Sequence, residues 1–440
     1  MNELEAGGFA DHIVSFLDHS PTAFHAVVNA ANMLREAGYQ ELSEREPWHL
    51  ERGGLYFLQR NRSSVVAFAI GTGDLAAEGF RLIGAHTDSP SFKIKPGGCL
   101  VTGDGYIKLN TEGYGGAILS TWFDRPLSIA GRVALRSASA LCPQETLVDF
   151  RRPMAIIPNL CIHFNREINS GYAYNKQIDL LPLVGQTANW GEGKDWLVDE
   201  LAAELGASPD EILDYELFLY ESAPGQFIGA NREYLSASRI DNLAMVFAGL
   251  TGLLESSTSA CTRVLAAFDN EEVGSGTAPG ADSGFLVQTL ERLAVCLDVK
   301  KDGFFQALAN SRAISADAAH AVHPNYPEKH DPTNRPILGG GPTIKYSASQ
   351  RYATNALTAA LFMQICEDAG VPCQQYVTRS DIAGGSTIGP AMSSSTSIPT
   401  IDMGAPILAM HSIRELACAQ DLHYTAAAFR EFYNHARNLP

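Results

Sequence analysis

The chain has 440 residues, 45% of them hydrophobic and 18% charged, which suits a folded protein with a sizeable core and excludes a disordered or membrane-embedded one. Its formal net charge of −17 argues against a phosphate backbone or an anionic surface, so neither nucleic acid nor membrane is expected as a partner. The length suggests two or three domains, and the acidic stretch Met1 to Ala6, where a secretory leader would be basic and then apolar, reads as cytoplasmic.

Asp11 to His19 carries Ile13, Phe16 and Leu17 at helical spacing, and Ser20-Pro21 reads as the cap of a second helix that Gly38 ends. Two strands follow, Leu55 to Gln59 and Val65 to Ile70. The run Phe80 to Ala85 is an apolar strand that ends in His86, Thr87 and Asp88. In an extended chain His86 and Asp88 point to the same side, as a histidine ligand and the carboxylate orienting it would.

From Phe92 the texture changes to glycine-rich strands, predicted at Ile107 to Leu109, Ile118 to Phe123 and Ser128 to Leu135. Short helices are predicted at Leu197 to Leu205 and Pro209 to Leu213, with Ser208 as a cap. His163 stands among apolar neighbours and reads as a core histidine. The first texture returns at Ser236, where Asp241 and Asn242 could cap a helix from Leu243 to Leu254.

Val264 to Phe268 is another apolar strand, and Asp269, Glu271 and Glu272 follow where it must end. Charge against a core strand needs a reason, and in open α/β sheets ligands collect beyond the carboxyl ends of the strands. A helix from Gly284 to Leu293 and a strand from Ala294 to Val299 lead to a further strand that closes on Asp317. Gln374 to Thr378 and Ile398 to Met403 are the last strands, the latter leading into Gly404-Ala405-Pro406 and the turn before His411.

Apolar strands thus end repeatedly in His or carboxylate. The candidate ligands are His86, Asp241, Glu272, Asp317 and His411, a nitrogen and oxygen set suited to zinc, manganese or cobalt. The eight cysteines form no Cys-x-x-Cys pair, so thiolate is not expected at a metal. If Asp241 bridges two ions about 3.5–4 Å apart, each keeps a position for water and together they polarise a carbonyl. Glu271 would then be the free carboxylate that takes the water's proton.

The segments Ala85 to Pro90, Tyr114 to Ala117, Thr121 to Arg125, Arg239 to Leu243, Asp269 to Ser275, Ser315 to Tyr326, Gln350 to Asn355, Gly385 to Pro390 and Met410 to Glu415 together resemble the aspartyl aminopeptidase family of dinuclear zinc metallopeptidases, in order and nearly end to end. The resemblance implies an α/β fold of the zinc exopeptidase type, a mixed central sheet flanked by helices, interrupted by an inserted β-rich dimerisation domain. The expected division is 1–92 and 236–440 for the catalytic domain and 93–235 for the insertion.

It also implies two Zn2+ per chain, with Mn2+ or Co2+ as possible substitutes. His86, Asp241 and Asp317 would hold one ion and Asp241, Glu272 and His411 the other, with Glu271 as the catalytic base and Asp88 as the partner of His86. His163 would reach a neighbouring subunit's site, against its reading as core, and Lys345 and Tyr352 would contact substrate. Peptide substrates, an acidic N-terminal preference and a homodimer building a homododecamer are further expectations. Relatives of this kind carry a cis peptide after the bridging aspartate, so one is expected between Asp241 and Asn242. Some carry a histidine where this chain has Asn334. An aminopeptidase of neutral preference, or an amidohydrolase of related chemistry that removes acyl groups, is the alternative.

Overall fold

A computed structural model describes residues 3–190 and 195–435, so Met1 and Asn2 of the acidic N-terminal stretch lie outside the described residues. The chain forms two compact units. The first comprises Met1–Asp88, Gly225–Met410 and Glu415–Pro440, and the second Ser89–Pro224 and His411–Arg414.

The first unit is built on a mixed nine-stranded sheet. Its strands are β1 (Gln40–Glu41), β2 (Leu55–Arg60), β3 (Ser64–Ala69), β4 (Phe80–His86), β5 (Thr262–Phe268), β6 (Arg312–Ala316), β7 (Thr343–Tyr346), β8 (Gln374–Val377) and β9 (Thr400–Gly404), in the order β1-β2-β3-β5-β4-β6-β9-β7-β8. The central strands β5, β4, β6 and β9 run parallel, while β3 and β7 join them antiparallel.

Every residue of β4 and β5 is buried, because both faces of the sheet are covered and alternation of apolar with polar residues would put charge into a core. Ile83, Ala85, Leu265 and Ala267 face one core, against helices such as Ile240–Glu255 and Ala419–Asn434. Phe80, Leu82, Val264 and Phe268 face the other, against Phe285–Cys296 and Lys301–Asn310. Each fully buried Leu, Ile or Phe contributes about 1.5–3 kcal/mol, so the carboxyl ends of these strands are stiff platforms. This is the fold class expected.

Several local expectations differ. The second helix starts at Ala23 with Thr22 before it, and the Ser20 hydroxyl accepts from Asn29 Nδ2 at 3.0 Å instead of capping. Ala294 to Val299 is not a strand. Its first half continues the helix Phe285–Cys296, with Ala294 in the core and Val295 64% exposed, and a further helix begins at Lys301. Apolar residues on one side of a helix end resemble a short buried strand, an ambiguity that periodicity over so few residues does not resolve. The turn before His411 is present as expected, and it follows a short strand, Pro406–Leu408, that pairs with Glu415–Cys418.

The second unit is a six-stranded antiparallel sheet, in the order Gln144–Asp149, Leu127–Leu135, Ile212–Glu221, Ser91–Val101, Tyr106–Tyr114 and Leu183–Gln186. It has its own core around Phe92, Trp122, Leu127 and Leu219. Ile118 to Phe123 is a 3-10 turn over Leu119–Trp122 rather than a strand, and Pro209–Glu211 makes one such turn, capped by Ser208, before Ile212 enters the sheet. The units divide at 88/89 and 224/225 because Ser91 pairs with Tyr114 in the second sheet, whereas Tyr234–Ala237 pairs with Glu415–Cys418 in the first unit. Residues 411–414 join the second unit. The His411 carbonyl accepts from Ile118 N at 2.9 Å, and Arg414 pairs with Glu221 at 2.6 Å. Among the described residues no helix is long and apolar enough to cross a membrane.

Candidate metal centre

Three adjacent parallel strands of the first unit deliver their last residues to one edge. Phe268 of β5 lies opposite His86 of β4, and β6 ends at Ala316, immediately before Asp317. The helix Ile240–Glu255 brings Asp241, which with Asn242 departs from helical φ/ψ and is joined to it by a cis peptide, as expected. The cap position of this helix falls to Arg239, which makes no side-chain cap bond. The Asp241 N–H donates to Glu415 Oε2 at 2.9 Å, and Asn242 Nδ2 donates to Ala316 O at 2.8 Å.

The result is a tight cluster. His86 Nε2 lies 3.6 Å from Asp241 Oδ1 and 3.6 Å from Asp317 Oδ2, with all three residues buried. Ligand atoms of His86, Asp241 and Asp317 fall within 4.8 Å of one another, and so do those of His86, Glu271 and Glu272. Buried carboxylates at such spacing repel unless a cation stands among them. Burial pulls the His86 imidazole toward neutrality, yet bonds to Asp241, Asp317 and Asp88 outweigh it and hold its pKa well above the usual histidine range. The site therefore asks for positive charge, and its nitrogen and oxygen donors fit zinc.

Asp88 organises the loop after β5. His86 Nδ1 lies 3.3 Å from Asp88 Oδ1 and 3.0 Å from the Asp88 carbonyl. The same carboxylate accepts the backbone N–H of Glu271 on Oδ1 and of Glu272 on Oδ2, both at 3.1 Å. Asn270, left-handed at φ 63°, turns the chain out of the strand, and its carbonyl accepts from Ser275 N at 2.8 Å. Asp269 is local support, accepting from Asn270 N at 2.7 Å, while its own N–H donates to Ser64 Oγ at 2.9 Å. Burial pushes the Glu271 carboxyl up to about 7; His86 opposes this, and Asp317, Asp88 and Asp241 add to it.

Lys345 is buried, and its Nζ donates to Asp317 Oδ1 at 2.6 Å and to Ala318 O at 2.8 Å. Its ammonium stands 5.4 Å from the centroid of the Tyr352 ring, which is also buried. Sequence reasoning missed Asp402, which is fully buried in β9 and accepts from Ala353 N at 2.6 Å and from the Thr387 hydroxyl. It fixes the residue after Tyr352. The available signal was an acid inside an apolar strand, Ile398 to Met403. Asn334 is bonded to Asp331 Oδ1 through both its backbone N–H and its side-chain Nδ2.

Gly404 permits the close approach beside Asp317, since a Cβ there would stand 1.9 Å from the Asp317 carbonyl oxygen. Gly404→Ala is therefore expected to shift Asp317, lowering both the melting temperature and zinc content. Unchanged zinc stoichiometry in the purified variant would contradict this.

The reading of His163 as a core residue is wrong. It is exposed on the second unit, in a segment where Leu160, Ile162 and Phe164 are exposed as well. Those apolar neighbours in the sequence do not enclose it. His411 also belongs to the second unit, with Nδ1 3.2 Å from the Gly116 carbonyl and a positive φ of 67°.

A parallel α/β edge carrying one histidine and four buried or half-buried carboxylates is the architecture of a metallohydrolase. The comparisons narrow that class: the family model described as aminopeptidase I zinc metalloprotease (M18) matches residues 16–433, and the chain belongs to that family. It is thus an aminopeptidase, a hydrolase of the exopeptidase kind. It is 50% identical to the "Probable M18 family aminopeptidase 2" of Clostridium acetobutylicum over 433 residues, 98% of this chain and 99% of the relative. Among solved structures it is similar to Ape4 in its complex with Nbr1, at 36% identity and a TM-score of 0.94 over 98% of this chain and 86% of that one. It is also similar to the S. cerevisiae mApe1 dodecamer, at 27% identity and a TM-score of 0.85 over 97% and 96%.

Proposed function

We propose that the chain is a dinuclear zinc aminopeptidase that removes the N-terminal residue of peptides and prefers Asp or Glu there. The observation that carries this is the convergence of His86, Asp241 and Asp317 with Glu271 and Glu272 at one strand edge. His86, Asp241 and Asp317 would hold one Zn2+, and Asp241, Glu272 and His411 the second, with Mn2+ or Co2+ as substitutes of similar donor preference. Bound zinc supplies a lowered pKa to water and polarises the scissile carbonyl. Glu271 takes the proton of the attacking water and returns it to the leaving amine, while Asp88 holds His86 and both glutamates in register.

The acidic preference rests on membership of the aspartyl aminopeptidase family. One observation favours a second reading, a neutral preference: the Lys345 ammonium is already paired with Asp317. Turnover of aspartyl, glutamyl and leucyl chromogenic amides decides between them. The acidic reading expects the first two to exceed the leucyl amide by about tenfold or more in kcat/KM, a difference of about 1.4 kcal/mol. Comparable values for all three would overturn it. N-acetylated peptides should resist cleavage, and their hydrolysis would point instead to a deacylase.

A homo-oligomer, with dimers building a dodecamer, is supported by the likeness to mApe1 and by the exposed apolar side chains around His163, among them Phe164 at 80% exposed. There His163 would act in a neighbouring copy's site, and native mass measurement tests the assembly. All eight cysteines are thiols, which suits the cytoplasm.

A further inference from the structure

Two of the segments on which the family resemblance rests, 350–355 and 385–390, supply none of the clustered candidate ligands among the described residues. One buried acid of β9 ties both of them down. Asp402 is fully buried, and a carboxylate inside an apolar strand is costly unless its oxygens are bonded. Oδ2 accepts from Ala353 N at 2.6 Å, and Oδ1 accepts from the Thr387 hydroxyl. Bonds to a charged acceptor are the stronger kind, and these two donors come from separate loops.

Other contacts close the same clasp. Thr387 Oγ1 accepts in turn from Gly389 N at 3.3 Å, where the helix Gly389–Thr396 begins. A Cβ on Gly389 would run into the Asp402 carboxylate, so glycine is what lets that helix start so close. Arg351 Nη1 donates to Gly384 O at 2.5 Å, a second tie between the loops, and Asp402 N donates to Thr354 Oγ1 at 2.9 Å. Between these anchors stands Tyr352, buried, with its ring centroid 5.4 Å from Lys345 Nζ and so within reach of a cation–π attraction. Ser315 lies opposite Asp402 on the neighbouring strand β6, two residues before Asp317. The clasp thus fixes a loop close to a candidate ligand while supplying no ligand itself.

We propose that Asp402 and Thr387 are positioning residues for substrate: their bond holds the loop 350–355 against the loop 384–389, so that Tyr352 and Lys345 form one fixed wall for the substrate's first side chain. This rests on the reading of Lys345 and Tyr352 as substrate contacts. A peptide that meets a wall already set has no loops to order on binding, so slackening the clasp weakens binding and leaves the metal ligands and Glu271 in place. The signature is therefore a change in KM, with kcat and zinc content kept.

Thr387→Val and Thr387→Ser, each in the zinc-replete full chain, separate the hydroxyl from the shape. Valine keeps the bulk and loses the bond, whereas serine keeps the bond. Thr387→Val is expected to raise KM for the best cleaved of the aspartyl, glutamyl and leucyl amides by about tenfold or more, with kcat within about threefold of the parent. Zinc per chain should be unchanged, and the amides of 350–355 should exchange hydrogen faster. Thr387→Ser should stay near the parent in each respect. Asp402→Asn should act like Thr387→Val, and should it fail to fold, the two threonine variants carry the test alone. Parental KM in Thr387→Val would overturn the proposal, and so would a KM rise that Thr387→Ser matches, that comes with loss of zinc, or that leaves the exchange unchanged. Tyr352→Ala tells this failure from that of the underlying reading. If it too leaves KM at the parental value, Tyr352 is no substrate contact; if it raises KM while Thr387→Val does not, the clasp alone is wrong.

Discussion

Glu271→Ala should give a folded chain that binds zinc like the parent and has lost peptide turnover by about 10²–10⁴-fold, the usual contribution of a positioned proton acceptor. Glu271 is half-buried, with its carboxylate oxygen within 4.8 Å of His86 and Glu272 ligand atoms, and its backbone is held by Asp88 rather than by its own side chain. Truncating that side chain removes the proposed base and leaves the loop anchored. Its neighbour should behave differently. Glu272→Ala removes a proposed ligand, so zinc content and turnover should fall together. The measurement is zinc per chain by elemental analysis beside kcat for the two variants. Glu271→Ala with more than about a tenth of parental kcat at full zinc content would remove Glu271 from the base role.

The strands that build this edge could be read from the sequence because β4 and β5 are continuous apolar runs, a pattern that only burial on both faces allows. The positions of His86, Glu271 and Glu272 followed from where those runs stop, and that of Asp317 from the end of β6, whereas Asp241 stands on a helix and was legible only as a polar residue at its start. What could not be read is which groups hold the candidate ligands in place. Glu415 receives the Asp241 N–H across 174 residues of chain. Asp402 secures the Tyr352 loop, yet in the sequence it is only a lone acid in a strand. Such contacts are made by tertiary proximity, and no local spacing announces them. His163 failed for the opposite reason. Apolar neighbours in sequence suggested a core, but Ile162 and Phe164 are exposed on the second unit and enclose nothing.

Asp88→Asn is the second large expected effect, on metal affinity rather than on chemistry alone. The Asp88 carboxylate is an acceptor on both oxygens: Oδ1 faces His86 Nδ1 and the Glu271 N–H, and Oδ2 faces the Glu272 N–H. Asparagine keeps one acceptor oxygen and sets an NH2 group against whatever faced the other. If the oxygen stays with Glu271 and His86, the Glu272 N–H meets a donor; if the amide flips, His86 and Glu271 lose their partner. Each unmade bond at a buried donor costs about 1–3 kcal/mol, and partners that orient a metal-binding histidine typically account for about 10–100-fold in affinity. Competition with a chelator should therefore show zinc held about 10–100-fold more weakly by Asp88→Asn, with kcat reduced even at saturating zinc because the Glu271 backbone is no longer fixed. A purely structural role would lower the melting temperature without moving the chelator curve. Parental zinc affinity and kcat in a folded Asp88→Asn chain would show instead that the loop after β5 holds its glutamates through the Asn270 turn, without help from Asp88.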